Sequence, residues 1–410
     1  MSRKVLGCGL AVCLSLVVPT VAQEPAGQCS LLAASPYDPA TPIGAGVALE
    51  AIDATAAIPA CLAAVDAAGG DAKMIFQLGR AQDAGGSFEA AIGSYRAAMA
   101  IGYPVAIVAL GGLYELGLGV EADAGAALRL YQQAFDEGAL PIAAANLGYA
   151  YDAGIGVDAD KARAAHYYAI ASDGGIAWAS TSLGWLYEQG LGVEADYARA
   201  VALYQAAAAA GDADATNNLG VAYENGQGGL TRSVEQAIAH YELAAKGGSG
   251  LAMANLGDVY AYGRPGMSRD VAKARDYYRA AIDSGAPNVV ARAKNSLAWH
   301  FVLTNGDLDE AEQLATAALA HDPQDAAVLD TLGWIKHVRG DHEAALAHLL
   351  EAAALKPATT QLAHLGAVQA ASGDAAAARK SYEAALAALP PDYEEPTVDV
   401  NAVKSWLAAN

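Results

Sequence analysis

The sequence predicts an all-α protein, a solenoid of stacked helix-turn-helix repeats, and three observations carry that prediction. A Leu-Gly pair recurs at Leu78-Gly79, Leu110-Gly111, Leu147-Gly148, Leu183-Gly184, Leu219-Gly220, Leu256-Gly257, Leu332-Gly333 and Leu365-Gly366, with Leu297-Ala298 filling the gap. The spacing runs from 32 to 41 residues, the period of an array of helical hairpins. Behind each pair comes a second stretch in which an Ala is followed four residues later by Tyr or another large residue, as at Ala127/Tyr131, Ala164/Tyr168, Ala200/Tyr204, Ala237/Tyr241 and Ala274/Tyr278. A spacing of four puts both on one helix face. Composition agrees: the chain is rich in Ala and Leu, has four Phe, and has few of the β-branched runs that a sheet needs.

Along the chain, residues 1–22 read as a secretory signal peptide. Arg3 and Lys4 precede an apolar run from Val5 to Val18 broken only by Ser15, and Thr20-Val21-Ala22 forms a small-residue cleavage site before Gln23. Neither Cys8 nor Cys13 sits correctly for a lipid anchor, and no second stretch is apolar enough to cross a bilayer. The expected location is periplasmic or secreted. The mature chain then keeps two cysteines, Cys29 and Cys61, which an oxidising compartment would join as one disulfide. Residues 23–70, with the apolar segment from Ile52 to Val65, are expected to cap the front of the array.

Hairpins come in two lengths. From the Leu to the key Ala is 13 residues at 78–91, 332–345 and 365–378 and 14 at 297–311, against 17 or 18 in the five central hairpins. The added residues form a glycine turn: Gly117-Leu-Gly119-Val120, Gly154-Ile-Gly156-Val157, Gly190-Leu-Gly192-Val193, and degenerate versions at 226–230 and 263–267. The first Gly is expected to end its helix in the left-handed conformation. Asp123, Asp160, Asp196, Ser233 and Asp270 are placed to cap the helix that follows. Pro287 and the lengthened spacing predict a joint at 287–296, and Val400, Val403, Trp406 and Leu407 predict a closing helix within 391–410.

In these features the central hairpins, 105–286, resemble the Sel-like repeat family, whose pattern reads Ala-x3-Leu-Gly-x2-Tyr-x2-Gly-x-Gly-Val. The shorter ones, at 71–104 and 287–390, resemble tetratricopeptide repeats, with Pro323, Pro357 and Pro390 after their second helices. The resemblance implies a right-handed superhelix used for protein–protein interaction, often in envelope or secretion assemblies, with first helices lining an inner groove.

Charge narrows the partners. Lys and Arg total 24 against 45 Asp and Glu, a formal net charge of -21, which opposes nucleic acid and anionic membranes and suits a basic protein or peptide. Regular placement assigns the tyrosines on first helices (Tyr114, Tyr151, Tyr187, Tyr223, Tyr260) and on second helices (Tyr95, Tyr131, Tyr168, Tyr204, Tyr241, Tyr278, Tyr382) to packing. The glycine turns lack the strand that precedes a phosphate loop. His337, His342 and His348 lack partners at metal-ligand spacing and are expected to be solvated. No catalytic, cofactor or metal site is expected.

Two ladders remain as candidate partner contacts. Asn146, Asn218 and Asn255, with Ser182 in register, precede the Leu, and either offer a peptide their amide groups or fix the stacking of neighbouring hairpins. Glu115, Asp152, Glu188 and Glu224 follow the first-helix Tyr and are expected to bind a partner's cations or to solvate. Trp178, Trp185 and Trp334 sit at groove-facing offsets and could anchor an apolar side chain. The function expected is a protein-binding scaffold. Alternatives are an assembly factor for envelope polysaccharide or secretion machinery, and a weak hydrolase of the penicillin-binding kind. Family members linked to the latter carry a cysteine pair in every repeat, and the repeats here carry none.

Overall fold

The computed structural model describes residues 24–42, 45–138, 140–265, 267–389 and 399–410. The signal-peptide segment and Pro390 lie outside them. Among the described residues there are 21 α-helices, one 3-10 turn at Leu49–Ala51 and no strand, only an isolated bridge between Arg264 and Met267. The chain divides into two compact units, Met1–Ala195 and Asp196–Asn410.

The first unit begins with a helical pair, α1 (Pro25–Ala33) and α2 (Ala54–Ala67), followed by the hairpins α3 (Ala72–Ala84) with α4 (Phe88–Ala100), α5 (Pro104–Leu116) with α6 (Ala124–Gly138) and α7 (Pro141–Ala153) with α8 (Lys161–Asp173); α9 (Ala177–Gln189) packs on α8. The expected front cap is thus a hairpin. Cys29 on α1 and Cys61 on α2 are disulfide-bonded, with Cα atoms 4.6 Å apart, and pack against Met74, Leu78 and Ala81 of α3.

The second unit comprises α10 (Tyr197–Ala209), α11 (Ala213–Asn225), α12 (Val234–Lys246), α13 (Gly250–Tyr262), α14 (Val271–Asp283), α15 (Pro287–Leu303), α16 (Leu308–Leu319), α17 (Ala326–Val338), α18 (His342–Leu355), α19 (Thr359–Ala371), α20 (Ala375–Ala387) and α21 (Val400–Ala409). The joint expected at 287–296 is instead continuous helix, with Pro287 in the first turn of α15. There its missing N–H removes no helical hydrogen bond. At the end, Val403, Trp406 and Leu407 of α21 cover Tyr382 and Ala385, and the Trp406 ring lies 5.0 Å from that of Tyr382.

One local design repeats. In most of the Leu-Gly pairs the Gly faces the aromatic ring of its own second helix: a Cβ at Gly79, Gly111, Gly148, Gly220 or Gly257 would stand 2.5–2.6 Å from Tyr95, Tyr131, Tyr168, Tyr241 or Tyr278, while Gly333 faces Leu349. Those five tyrosines are almost fully buried. Ring burial of this size contributes about 2 kcal/mol apiece, and the absent side chain makes room for it. The first-helix tyrosines are only partly buried, apart from Tyr151 at the margin.

The glycine turns close as expected at four positions. Gly117, Gly154, Gly190 and Gly226 are left-handed, with φ from 66 to 74°. Gly263 departs, with φ 71° and ψ 178°, and its turn is tied by paired backbone bonds between Arg264 and Met267. The side chains of Asp160, Asp196, Ser233 and Asp270 accept backbone N–H bonds as helix caps, and Asp123 accepts from the N–H of Ala126. The backbone N–H of Asp123, Asp160, Ser233 and Asp270 in turn donates to the carbonyl of Tyr114, Tyr151, Tyr223 and Tyr260. These four turns are therefore sealed from both sides.

Candidate partner-binding face

The acidic ladder is built into the hairpins. Second-helix Tyr hydroxyls reach back to first-helix carboxylates: Tyr131 donates to Glu115 at 2.7 Å, Tyr241 to Glu224 at 2.8 Å, and Tyr168 to Asp152 at 3.5 Å. Two acids that the sequence reading did not single out do the same, Asp83 accepting from Tyr95 at 3.1 Å and Asp258 from Tyr278 at 2.7 Å. Asp83 stands five residues after its Leu, as the ladder acids do, so its place was legible; Asp258 stands one helical turn earlier on the same face. Cations hold several of the remaining oxygens: Lys161 on Asp152 at 2.5 Å, Arg264 on Glu224 at 2.7 Å and Arg292 on Asp258 at 2.8 Å. Glu188 is half-buried and also engaged within the protein. Burial, and then the neighbouring carboxylate, push the phenols of Tyr168, Tyr241 and Tyr278 above their ordinary range.

Asparagines of the second unit form a cross-hairpin chain. Asn217 donates to Asn218 at 3.2 Å, Asn255 donates to Asn217 of the preceding hairpin at 2.8 Å, and Arg292 of the following hairpin donates to Asn255 at 2.9 Å. The amide of Asn255 thus links neighbouring hairpins, one of the two roles open to the ladder, whereas Asn218 accepts from Asn217 of its own helix. In the first unit Asn146 is half-buried on α7.

The tryptophans differ in availability. Trp178 is half-buried with the edge of Tyr168 against it. Trp334 is flanked by His364 at 4.3 Å and His337 at 4.8 Å. Trp185 is 41% exposed, with Lys161 standing 5.9 Å from its ring. The histidines expected to be solvated are only partly so: His337 and His342 face each other at 3.2 Å, and burial lowers the affinity of His337 for a proton. A buried pair escaped the sequence reading, His364 Nδ1 and Asp330 Oδ2 at 2.8 Å, because the two lie in different hairpins and no spacing links them.

The first unit adds an apolar pocket of about 320 Å³, walled by α3, α5 and the segment between α1 and α2. Tyr37, Leu49, Val108, Ala109, Gly112 and Leu116 contribute to its lining. The wall is fixed by Arg80, itself buried, which donates to the carbonyls of Ala33 at 2.9 Å and Val47 at 2.8 Å. Tyr103 adds a 2.5 Å bond to the buried Asp38, and Lys73 a 3.0 Å bond to the Ala40 carbonyl. Gly112 opens the pocket: a Cβ there would meet only the Tyr131 hydroxyl, 4.0 Å away. Gly112, Tyr149 and Trp185 all stand two residues after the Leu of their repeat, on α5, α7 and α9, and both aromatic residues are exposed.

Comparison with known proteins accounts for this construction. The Sel1 repeat pattern matches residues 104–138, 141–176, 179–212, 213–249, 250–285 and 333–357. The crystal structure of a Sel1 repeat protein from Oxalobacter formigenes is 30% identical, covers 60% of this chain and 98% of its own, and superimposes with a TM-score of 0.52. The chain belongs to the Sel1 repeat family. A protective antigen with an SLR fold from uropathogenic Escherichia coli is 21% identical over 87% of this chain and 83% of its own, with a TM-score of 0.44. A thermophilic tetratricopeptide protein of Thermus thermophilus is 20% identical over 48% and 97%, with a TM-score of 0.35. No curated protein sequence matches the chain. The sixth Sel1 match falls on α17 and α18, within the region that resembles tetratricopeptide repeats. Sel1 and tetratricopeptide repeats are in general scaffolds for protein–protein interaction.

Proposed function

We propose that this Sel1 repeat protein is an exported scaffold, periplasmic or secreted, that holds a protein or an extended peptide against its first-helix face. The observation that carries the reading is the exposure of Tyr149 and Trp185 at the repeat position that Gly112 holds in the pocket, while the ring at each clamped second-helix position is buried. Large aromatic groups left in water on consecutive repeats are what a binding surface supplies. Export rests on the charged start, apolar run and small-residue site of residues 1–22, and the Cys29–Cys61 disulfide is in keeping with it.

A photo-crosslinking residue placed at Tyr149 or Trp185, in cells, tests this reading. The expected result is a protein adduct recovered from the periplasmic or culture fraction, with none from the exposed Gln133 of α6. Equal labelling from all three positions would show that the first-helix face has no special part in binding.

A further inference from the structure

Resting on that scaffold reading, we infer that the pocket at Gly112 seats one bulky apolar side chain of a basic peptide segment. At about 320 Å³ it lies at the lower end of ligand pockets. That suits a single large side chain better than an extended small molecule.

The pocket's rim sets the charge of its occupant. Glu50 and Asp83 are on its edge. Glu115 stands beside it, because the Tyr131 hydroxyl that faces Gly112 donates to that carboxylate. The one cation in the lining, Arg80, is held inward by its bonds to the carbonyls of Ala33 and Val47 and offsets one of these charges, so with Glu115 the surroundings stay net acidic. Helices α5, α7 and α9 contain no Lys or Arg and carry one carboxylate each, Glu115, Asp152 and Glu188. Lys161 offsets Asp152, whereas no ion pair offsets Glu115 among the described residues. A segment with Lys or Arg on either side of its anchor would therefore meet a favourable field. A fatty acid's carboxylate would be repelled by the same rim, and so would a second copy of this chain, whose net charge is -21.

Gly112 gives a selective test. It lies within α5 with ordinary helical backbone and open space around it, so Gly112→Leu fills the pocket without displacing the core. A short labelled peptide with one Phe between Lys residues is titrated by fluorescence anisotropy into wild type and Gly112→Leu. Variants of the peptide with Ala for Phe, or Glu for Lys, and a labelled fatty acid are run beside it. The expected result is saturable binding of the Lys-flanked Phe peptide, weakened roughly 30-fold or more by Gly112→Leu or by the Ala peptide, as for an anchor residue. The Glu peptide should bind more weakly, with the gap widening at low salt. Equal affinity of wild type and Gly112→Leu, equal affinity for Lys and Glu peptides, tighter binding of the fatty acid, or no peptide binding overturns the assignment. The two readings fail separately. A crosslinked partner that persists on Gly112→Leu leaves the scaffold standing and removes the pocket; crosslinking that does not favour Tyr149 and Trp185 removes the scaffold reading itself.

Discussion

The hydroxyl of Tyr241 donates to Oε2 of Glu224 at 2.8 Å while Arg264 holds Oε1 of the same carboxylate at 2.7 Å. Removing the hydroxyl as Tyr241→Phe should cost about 1.5–3 kcal/mol, the range for hydrogen bonds to charged groups. Glu224→Ala should cost at least as much, because it leaves a buried phenol and a guanidinium without their acceptor. Denaturant unfolding of both variants, with the exposed Tyr197→Phe as the control, measures this. No change for Tyr241→Phe would mean that the clamp is not formed in solution.

The glycines separate into three kinds with different predicted costs. Gly148→Val drives a side chain into the Tyr168 ring, 2.6 Å from a bare Cβ, and overpacking of this kind costs about 1–3 kcal/mol. Gly156→Ala meets both a φ of 70° and the Ala124 carbonyl oxygen at 2.5 Å, so it should cost more than the ~1 kcal/mol of conformational strain alone. Gly112→Ala, in open space on a helix, should stabilise by about 0.5–1 kcal/mol. Thermal or denaturant melts that failed to reproduce this order would contradict the hairpin packing.

Reduction should weaken the front of the first unit. The cysteines are 32 residues apart, and closing a loop of that size contributes about 3–4 kcal/mol in the chain-entropy model. The unreduced native protein should weigh two hydrogens less than its dithiol form. Free thiols in material exported by the cell would contradict the pairing.

Alkali should unfold the protein in a step tied to its phenols. Burial first, together with the facing carboxylate, raises the proton affinity of Tyr95, Tyr131, Tyr168, Tyr241 and Tyr278 in the folded state. A folded value above the unfolded one means a contribution that is complete below pH of about 10 and is lost as pH rises beyond it. Tyrosinate absorbance should therefore grow together with loss of helical circular dichroism. Smooth ionisation of these rings in a fully helical protein would contradict their burial.

Much of the fold was legible because its signals are local. Leu-Gly, Ala-x3-Tyr, the glycine turns and the caps each act within a hairpin or across one turn, so one sequence displays them repeatedly. What escaped the reading depends on pairs from different helices. Like charges in column looked like a surface free to bind or solvate, yet a Tyr hydroxyl reaches Glu115 from 16 residues away and Arg264 reaches Glu224 from 40. The exchange of bonds among Asn217, Asn255 and Arg292 joins separate hairpins in the same way. Gly112 passed unnoticed beside Gly111, although Gly111 receives a ring and Gly112 leaves a hole. Which side of a helix a glycine faces is set by the neighbour that approaches it. Pro287 misled for a related reason: a proline signals a break only when it falls beyond the first turn of a helix.

The second glycine of each turn sets the distance between one repeat and the one before it. A Cβ at Gly119 would stand 2.7 Å from Phe88, at Gly156 2.5 Å from the Ala124 carbonyl, at Gly192 2.2 Å from the Lys161 backbone and at Gly228 2.5 Å from the Tyr197 carbonyl. In each case the loop is seated on the opening turn of the preceding second helix, largely main chain against main chain. A junction made this way does not read the identity of the residues around it. Copies of the repeat can be gained, lost or exchanged, and their outward side chains can diverge, while the glycine carries the geometry of the join from one copy to the next.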